Sequence, residues 1–200
     1  MKIKVVSDLH LEFKDITIPN NGADVLILSG DILLSQTLHD HKPDDVEPNS
    51  LGFMVSAKAQ RFRDFLQRCN DSFPHTIYIA GNHEFYHGNW HKGLRYLRDE
   101  IKRYPNITFL ENDSKVIDDV TFVGGTLWTD MNKRDLDTMT KIHGYLNDFN
   151  LIRNDKRNYR RISSIDVVNR HEETLAYIRS VVSNPGRYVV VGHHSPSVHS

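Results

Sequence analysis

The sequence predicts an α/β domain, and three observations carry that prediction. Four apolar runs read as buried strands: "KIKVVSD", "ADVLILSGD", "HTIYIAGN" and "RYVVVGHH". Apolar residues at helical spacing lie between them, and strand–helix alternation is the mark of α/β folds. Each run also ends on Asp, Asn or His, so polar chemistry collects at the carboxyl ends of strands, where ligands bind open α/β sheets.

The elements follow in order. The first strand alternates Lys with apolar residues, becomes continuously apolar and ends at Asp8. The second is apolar throughout, as in a sheet covered on both faces, and ends at Gly30-Asp31. Residues 33–52 have no periodicity and are rich in Pro, Asp and His. Residues 33–55 are therefore expected to be a loop insertion, placed to form one wall of a substrate pocket. "SAKAQRFRDFLQRC" puts Phe62, Phe65, Leu66 and Cys69 on one helical stripe, which makes Cys69 a core residue. The third strand ends at Gly81-Asn82. "NWHKGLRYLRDEIKRY" repeats the stripe with Trp90, Leu94, Leu97 and Ile101, and Pro105 lies just past its end. Shorter strands are expected at "ITFLEN", "SKVID" and "VTFVGGTLW". The polar stretch from Met131 to Arg161 reads as short helices and loop. "SSIDVVNRHEETLAYIRSVVS" opens on Ser caps and carries Ile165, Val168, Leu175 and Ile178 before the last strand, which ends at Gly192-His193.

Two hundred residues are expected to form a single domain, residues 1–200. The net charge of −1 argues against an obligate nucleic-acid binder and leaves a small charged substrate open. One cysteine excludes an internal disulfide and a thiolate zinc site. No signal-peptide run and no stretch of membrane-spanning length is visible, so the cytoplasm is the expected compartment and no membrane association is expected. Arg153, Lys156, Arg157, Arg160 and Arg161 gather in "RNDKRNYRR"; a solvated face explains them more simply than phosphate or nucleic-acid binding. His39, His41, His87 and His91 are read as solvated or partly packed.

Residues 78–89, "YIAGNHEFYHGN", hold two competing signatures. HEFYH matches the zinc-protease string HExxH, which grips a metal only when both His lie on one helix face. A buried strand running into Gly-Asn predicts a turn instead. The extended protease pattern fails as well, with Trp90 where Gly and Gly93 where His should stand. GNHE fits a strand-end loop, and its companions appear in order: "SDLH", "SGD", "GNHE", "VGHH".

This ordered set resembles the calcineurin-like metallophosphoesterase family, over residues 5 to about 196. The resemblance implies a four-layer α-β-β-α sandwich of two mixed sheets and a dinuclear site at the sheet edge. It implies that Asp8 and His10 bind one metal, that Asp31 bridges both, and that Asn82 and His193 bind the second, with His194 open as an alternative to His193. It implies that His83 donates to a substrate oxygen or the leaving group, and that Glu84 helps orient His83. Mixed N/O ligands suit two divalent ions of Mn, Fe, Zn or Co. Such a pair lowers the pKa of a shared water, so a metal-held hydroxide is the expected nucleophile in hydrolysing a phosphomonoester or phosphodiester. The final G-H-x-H of the family is missing from "GHHSPSVHS", which raises the expectation of further C-terminal strands in a longer chain. A small phosphate ester is the expected substrate, and nucleic acid is possible but not favoured. The rival reading is a scaffold of the same fold that is weak or inactive as a catalyst and serves protein contacts.

Overall fold

The computed structural model describes residues 1–42 and 57–197. Strands β1 (Ile3–Val6), β2 (Val25–Ser29), β3 (His75–Ile79) and β4 (Ile107–Leu110) form one sheet in that spatial order, all parallel. A parallel step needs a crossover. Helix α2 (Ala57–Ser72) lies between β2 and β3, and helix α3 (Trp90–Ile101) between β3 and β4. The strands end nearly level: Val6 pairs with Leu28, and Ser29 with Ile79. That register brings whatever follows β1, β2 and β3 to one rim.

The second sheet holds β5 (Asp113–Ile117), β6 (Val120–Gly125) and the final strand, Arg187–Gly192. β5 and β6 form an antiparallel hairpin, while β6 pairs in parallel with the final strand. Two mixed sheets were expected, but only this one is mixed. The first is wholly parallel because each of its connections crosses back before the next strand begins, whereas the tight turn after Ile117 reverses the chain.

Three apolar clusters hold these layers. Phe62, Phe65, Leu66, Leu94 and Leu97 from the helices pack with Leu26, Leu28 and Tyr78 of the first sheet. Val25, Ile27, Ile77 and Ile79 share a second cluster with Phe122 and Val191 of the other sheet. Alternate residues of β2 and β3 therefore serve two clusters, which is why Val25–Leu28 and Ile77–Ile79 are unbroken apolar runs. Val123 and Leu127 meet Ile178 of the long helix Ser164–Val182 in the third. Cys69 is buried in the first cluster, as its stripe predicted, and burial lifts its thiol pKa to about 12.

Within the expected loop insertion, Ser35–Asp40 forms a helix, α1, with Leu38 buried. Six residues are too few for an apolar repeat to be visible, so the sequence reads this stretch as loop. Residues 43–55 of that insertion lie outside the described residues. The polar region forms the expected short pieces: α4 (Met131–Arg134), α5 (Leu136–Lys141), α6 (Asp148–Leu151), and the two-residue strands β7 (Arg153–Asn154) and β8 (Arg160–Arg161). The long helix is α7 and the final strand β9. The Asp166 carboxylate accepts from the backbone N–H of Ser163 at 2.9 Å, closing the predicted Ser-led start of α7. Among the described residues no helix is long and apolar enough to cross a membrane.

Candidate metal centre

Past the end of β1 the chain stays bonded to the segment that follows β2. The backbone N–H groups of Asp8, His10 and Leu11 donate to the carbonyls of Gly30, Asp31 and Ile32, at 3.1, 3.0 and 3.0 Å. The path is irregular and ends in a turn at residues 11–13. Leu11 is fully buried, while Asp8, His10 and Glu12 point to the rim. Asp8, His10 and Asp31 all adopt positive φ, at 54°, 45° and 56°. Side chains other than Gly enter that region at a cost on the order of 1 kcal/mol each, and such residues gather at functional sites.

Two glycines let the strand ends close on one another. A Cβ on Gly30 (φ +85°) would lie 2.6 Å from the Gly81 nitrogen and from Nδ1 of His193. A Cβ on Gly81 would collide with Oδ1 of Asp31. The Gly of "SGD" and the Gly of "GNHE" are thus the floor of the site.

Asp31 lies at the centre. Its Oδ2 faces Nε2 of His10 at 3.9 Å, and the ligand atoms of Asp8, His10 and Asp31 all lie within 4.8 Å of one another. Its Oδ1 faces Nε2 of His193 at 3.4 Å, and that same Nε2 is 3.2 Å from Oδ1 of Asn82. The sequence-predicted residues therefore meet, from four strand ends on two sheets. β9, which brings His193, belongs to the second sheet, while β1, β2 and β3 belong to the first.

His193 and His194 differ in what their rings bond to. Nδ1 of His193 donates to the Ser29 carbonyl at 2.8 Å, which leaves Nε2 directed at Asp31 and Asn82. His194 turns away: its Nδ1 donates to the Thr126 carbonyl at 3.1 Å, and its ring stacks on Trp128. Burial first, and then the His193 charge, hold its pKa below the usual imidazole range against the pull of that hydrogen bond.

The Glu84 carboxylate makes no hydrogen bond to the His83 side chain. It is fully buried beneath the rim. It accepts from the backbone N–H of Asp31, Ile32 and Gly81 at 2.9, 2.8 and 2.7 Å, and from the Tyr78 hydroxyl at 2.9 Å. Four donors consume it, so none of it is left for His83. The partner of His83 is Glu12, which the sequence reading missed: Nδ1 of His83 donates to Oε1 of Glu12 at 2.9 Å. The same oxygen lies 3.4 Å from Nδ1 of His10. No strand alternation marks Glu12, because Asp8 and His10 have positive φ and residues 11–13 form a turn, so only the packing shows that Glu12 faces the histidines. Asp148 was also missed. Its Oδ1 accepts from the Asn82 amide nitrogen at 2.7 Å and so turns the amide oxygen into the site. No local pattern marks Asp148, because 66 residues separate the pair.

Electrostatics follow from this packing. Burial pulls the His83 pKa down, but the Glu12 hydrogen bond and the charges of Asp31, Glu12 and Glu84 overcome it and leave it raised. For Glu12, burial pushes upward, and the His83 bond and both histidine charges leave it lowered. Burial and the Asp31 charge raise the Glu84 pKa, against its hydrogen bonds.

The donor set fits divalent cations. With Nδ1 of His193 bonded to the Ser29 carbonyl, Nε2 is the ring atom that faces Oδ1 of Asp31 and Oδ1 of Asn82, and a cation among the three would take one donor atom from each. Asp31 would serve again on its other side, with Asp8 and His10. The protease geometry is not formed: His83–Phe85 is a single 3₁₀ turn, His87 has φ +60°, and helix begins only at Trp90.

Comparison with known proteins agrees with this geometry. The family model for calcineurin-like phosphoesterases matches residues 1–198. "Uncharacterized protein L509" of Acanthamoeba polyphaga mimivirus is 27% identical over 209 residues, covering 97% of this chain and 68% of that protein. Among solved structures, the phosphopantetheinyl hydrolase PptH from Mycobacterium tuberculosis superposes with a TM-score of 0.58 at 17% identity, over 97% of this chain and 68% of that one. The likeness to PptH is one of fold.

Proposed function

The chain belongs to the calcineurin-like phosphoesterase family, and on that premise we propose that it hydrolyses a phosphomonoester or phosphodiester at a dinuclear metal centre. Family membership supports phosphoester hydrolysis at a metal site in general. The dinuclear reading rests on one observation, that the two oxygens of Asp31 face different donor sets. Asp8, His10 and Asp31 would hold one cation, and Asp31, Asn82 and His193 the other. We also read the three apolar clusters as the α-β-β-α layer order of that family.

Bound cations of the Mn, Fe, Zn or Co type would neutralise phosphate charge and lower the pKa of a water. The remaining work belongs to side chains. His83 keeps Nε2 free because Nδ1 is held by Glu12, and its ring is partly exposed, so Nε2 is the atom that reaches substrate. It donates a proton or a hydrogen bond to the leaving oxygen. Glu12 fixes that tautomer and stabilises the charged ring. Asp148 fixes the Asn82 amide, and Ser29 fixes His193. A small phosphate ester is the substrate class we propose.

The test is turnover of p-nitrophenyl phosphate and its bis ester with Mn²⁺. Chelation is expected to cut the rate by about 10³-fold or more, several kcal/mol of transition-state stabilisation, and added metal to restore it. Metal-loaded protein that turns over no phosphate ester on a broad panel would instead support a scaffold.

Glu12→Gln tests the proton donor's support. Loss of a carboxylate behind a functional histidine is expected to lower kcat by about 10- to 100-fold with KM nearly unchanged. Phenyl phosphate, whose leaving group needs a proton, should suffer more than p-nitrophenyl phosphate. Equal losses on both substrates would mean that Glu12 does not act through His83.

A further inference from the structure

Beside α3, where the chain leaves β4, lies a cationic cleft that the metal centre does not use. Its volume is about 430 Å³, and Lys92, Arg95, Arg98, Lys156 and Arg170 line it together with Glu111 and Asp155. Both carboxylates are already engaged. Glu111 pairs with Arg170 at 2.9 Å and accepts from Thr126, while Asp155 accepts from the backbone N–H of His91 at 2.9 Å. Among the described residues none of Lys92, Arg95, Arg98 and Lys156 has a carboxylate oxygen within salt-bridge distance. Four positive charges are thus left over, in a chain whose net charge is −1. Arg170 adds a buried Nε that lacks a hydrogen-bond partner.

Nothing in the fold requires this concentration. Lys92, Arg95 and Arg98 recur every three residues on one helix face, where like charges weaken a helix. Their row spans about 9 Å at the helical rise per residue, too long for a clamp on one phosphate and suited to a chain of them. Aromatic rings stand beside the cations. Lys92 lies 4.7 Å from the ring centroid of Tyr159, which is 45% exposed, and Arg95 lies 5.8 Å from that of Tyr96. Tyr159 is the exposed ring, its hydroxyl accepting from Lys92 at 2.6 Å, while Tyr96 is half-buried and stacked on His39. Cations beside an exposed ring are among the means by which proteins hold single-stranded nucleic acid without reading its sequence. A second cleft, of about 580 Å³, shares Lys92 and Arg95; there Arg63 and Arg103 are paired with Glu100, so the unpaired cations stay with the first cleft.

We propose that this cleft binds the phosphodiester backbone of a single-stranded nucleic acid. The overall charge concealed it, because carboxylates elsewhere on the surface balance the sum while only the local field acts on a ligand within a Debye length. The proposal does not depend on the hydrolytic reading. The path from Asp148, at the metal rim, to Lys156, in the cleft, is eight residues, so the two lie no more than roughly 29 Å apart along even a fully extended chain.

The test is fluorescence anisotropy of a labelled, phosphorothioate-linked oligothymidylate of about 20 nucleotides with the Mn²⁺-loaded protein. Binding with a Kd of about 10⁻⁴ to 10⁻⁶ M is expected, with log Kobs against log salt falling at a slope of about −3 for four cations. The triple variant Lys92→Glu, Arg95→Glu, Lys156→Glu should lose at least about tenfold in affinity with a correspondingly shallower salt slope. It should keep its turnover of bis-p-nitrophenyl phosphate, which reports an intact fold and metal rim. If wild-type turnover is absent, the hydrolytic reading fails and the binding arm still stands, with circular dichroism as the fold control. Absence of oligonucleotide binding, or equal binding by wild type and variant, would overturn the proposal. So would tighter binding to phosphatidylserine vesicles that oligothymidylate does not displace, since the cleft would then serve a membrane surface.

Discussion

Replacing Asp31 by Asn is expected to lower kcat/KM for bis-p-nitrophenyl phosphate by about 10³-fold or more, because several kcal/mol of transition-state charge stabilisation are lost with the cations. The variant changes charge while nearly preserving shape. Oδ1 of Asp31 accepts the His83 backbone N–H at 2.9 Å, and an Asn oxygen can do the same. What the amide cannot do is present an anionic oxygen both to the His10 side and to the His193 side. Metal content, measured by plasma emission on dialysed protein, should fall with activity. Stability of the metal-free protein should move the other way. The Asp31 charge disfavours ionisation of Glu84, so removing it relieves repulsion beneath the rim, and a gain of up to about 1 kcal/mol is expected. Full metal content with full activity in Asp31→Asn would show that Asp31 bridges nothing.

Glu84→Ala is expected to have the largest effect on stability, about 4 kcal/mol by urea denaturation, because a buried acceptor of several charge-assisted hydrogen bonds is removed and its donors are left unpaired. For a chain of this size that is a fall in Tm of roughly 8–16 °C. Three backbone N–H groups and the Tyr78 hydroxyl converge on this one carboxylate. They come from the turn after β2, the turn after β3 and the β3 strand, so Glu84 ties together the two loops that present Asp31 and Asn82. Glu84→Gln should cost less, about 2–3 kcal/mol, since one oxygen still accepts and the Tyr78 hydroxyl can rotate to accept from the amide, leaving one N–H opposed. A loss below 1 kcal/mol for the Ala variant would contradict the bracing role. Both variants should bind metal more weakly, as the Asp31 and Gly81 loops loosen.

Much of the fold was legible because its strands are long, apolar and clearly ended. β2 and β3 feed apolar clusters on both faces, so apolar residues run unbroken through Val25–Leu28 and Ile77–Ile79 and mark the strands clearly. The stripes of α2 and α3 repeat over enough turns to be seen. By contrast, α1 is a single short helix whose burial comes from neighbours, and its spacing carries no signal. The parallel character of the first sheet was not legible either, since strand direction depends on how each connection returns.

The site divides along the same line. Asp8, His10, Asp31, Asn82, His83 and His193 were singled out because strand ends announce them and their order resembles a family's, and the structure gathers them at one rim. Glu84 was singled out as a support for His83, but its hydrogen bonds run elsewhere. The string GNHE places it next to His83 in sequence, and only the packing shows its carboxylate directed down at four donors. Glu12 and Asp148 were missed because hydrogen bonds between distant segments define them.

Taken alone, then, the order of residues determined the α/β class, the elements of the core and which chemical groups stand at strand ends. These depend on local periodicity and turn chemistry, which neighbouring letters encode. Tertiary structure alone decided that β9 in a second sheet completes the rim, that Glu12 supports His83 while Glu84 braces the loops, and that Lys92, Arg95, Arg98 and Lys156 line one cleft. Those outcomes depend on which segments pack side by side, and side-chain partners tens of residues apart leave no mark on either segment's own pattern.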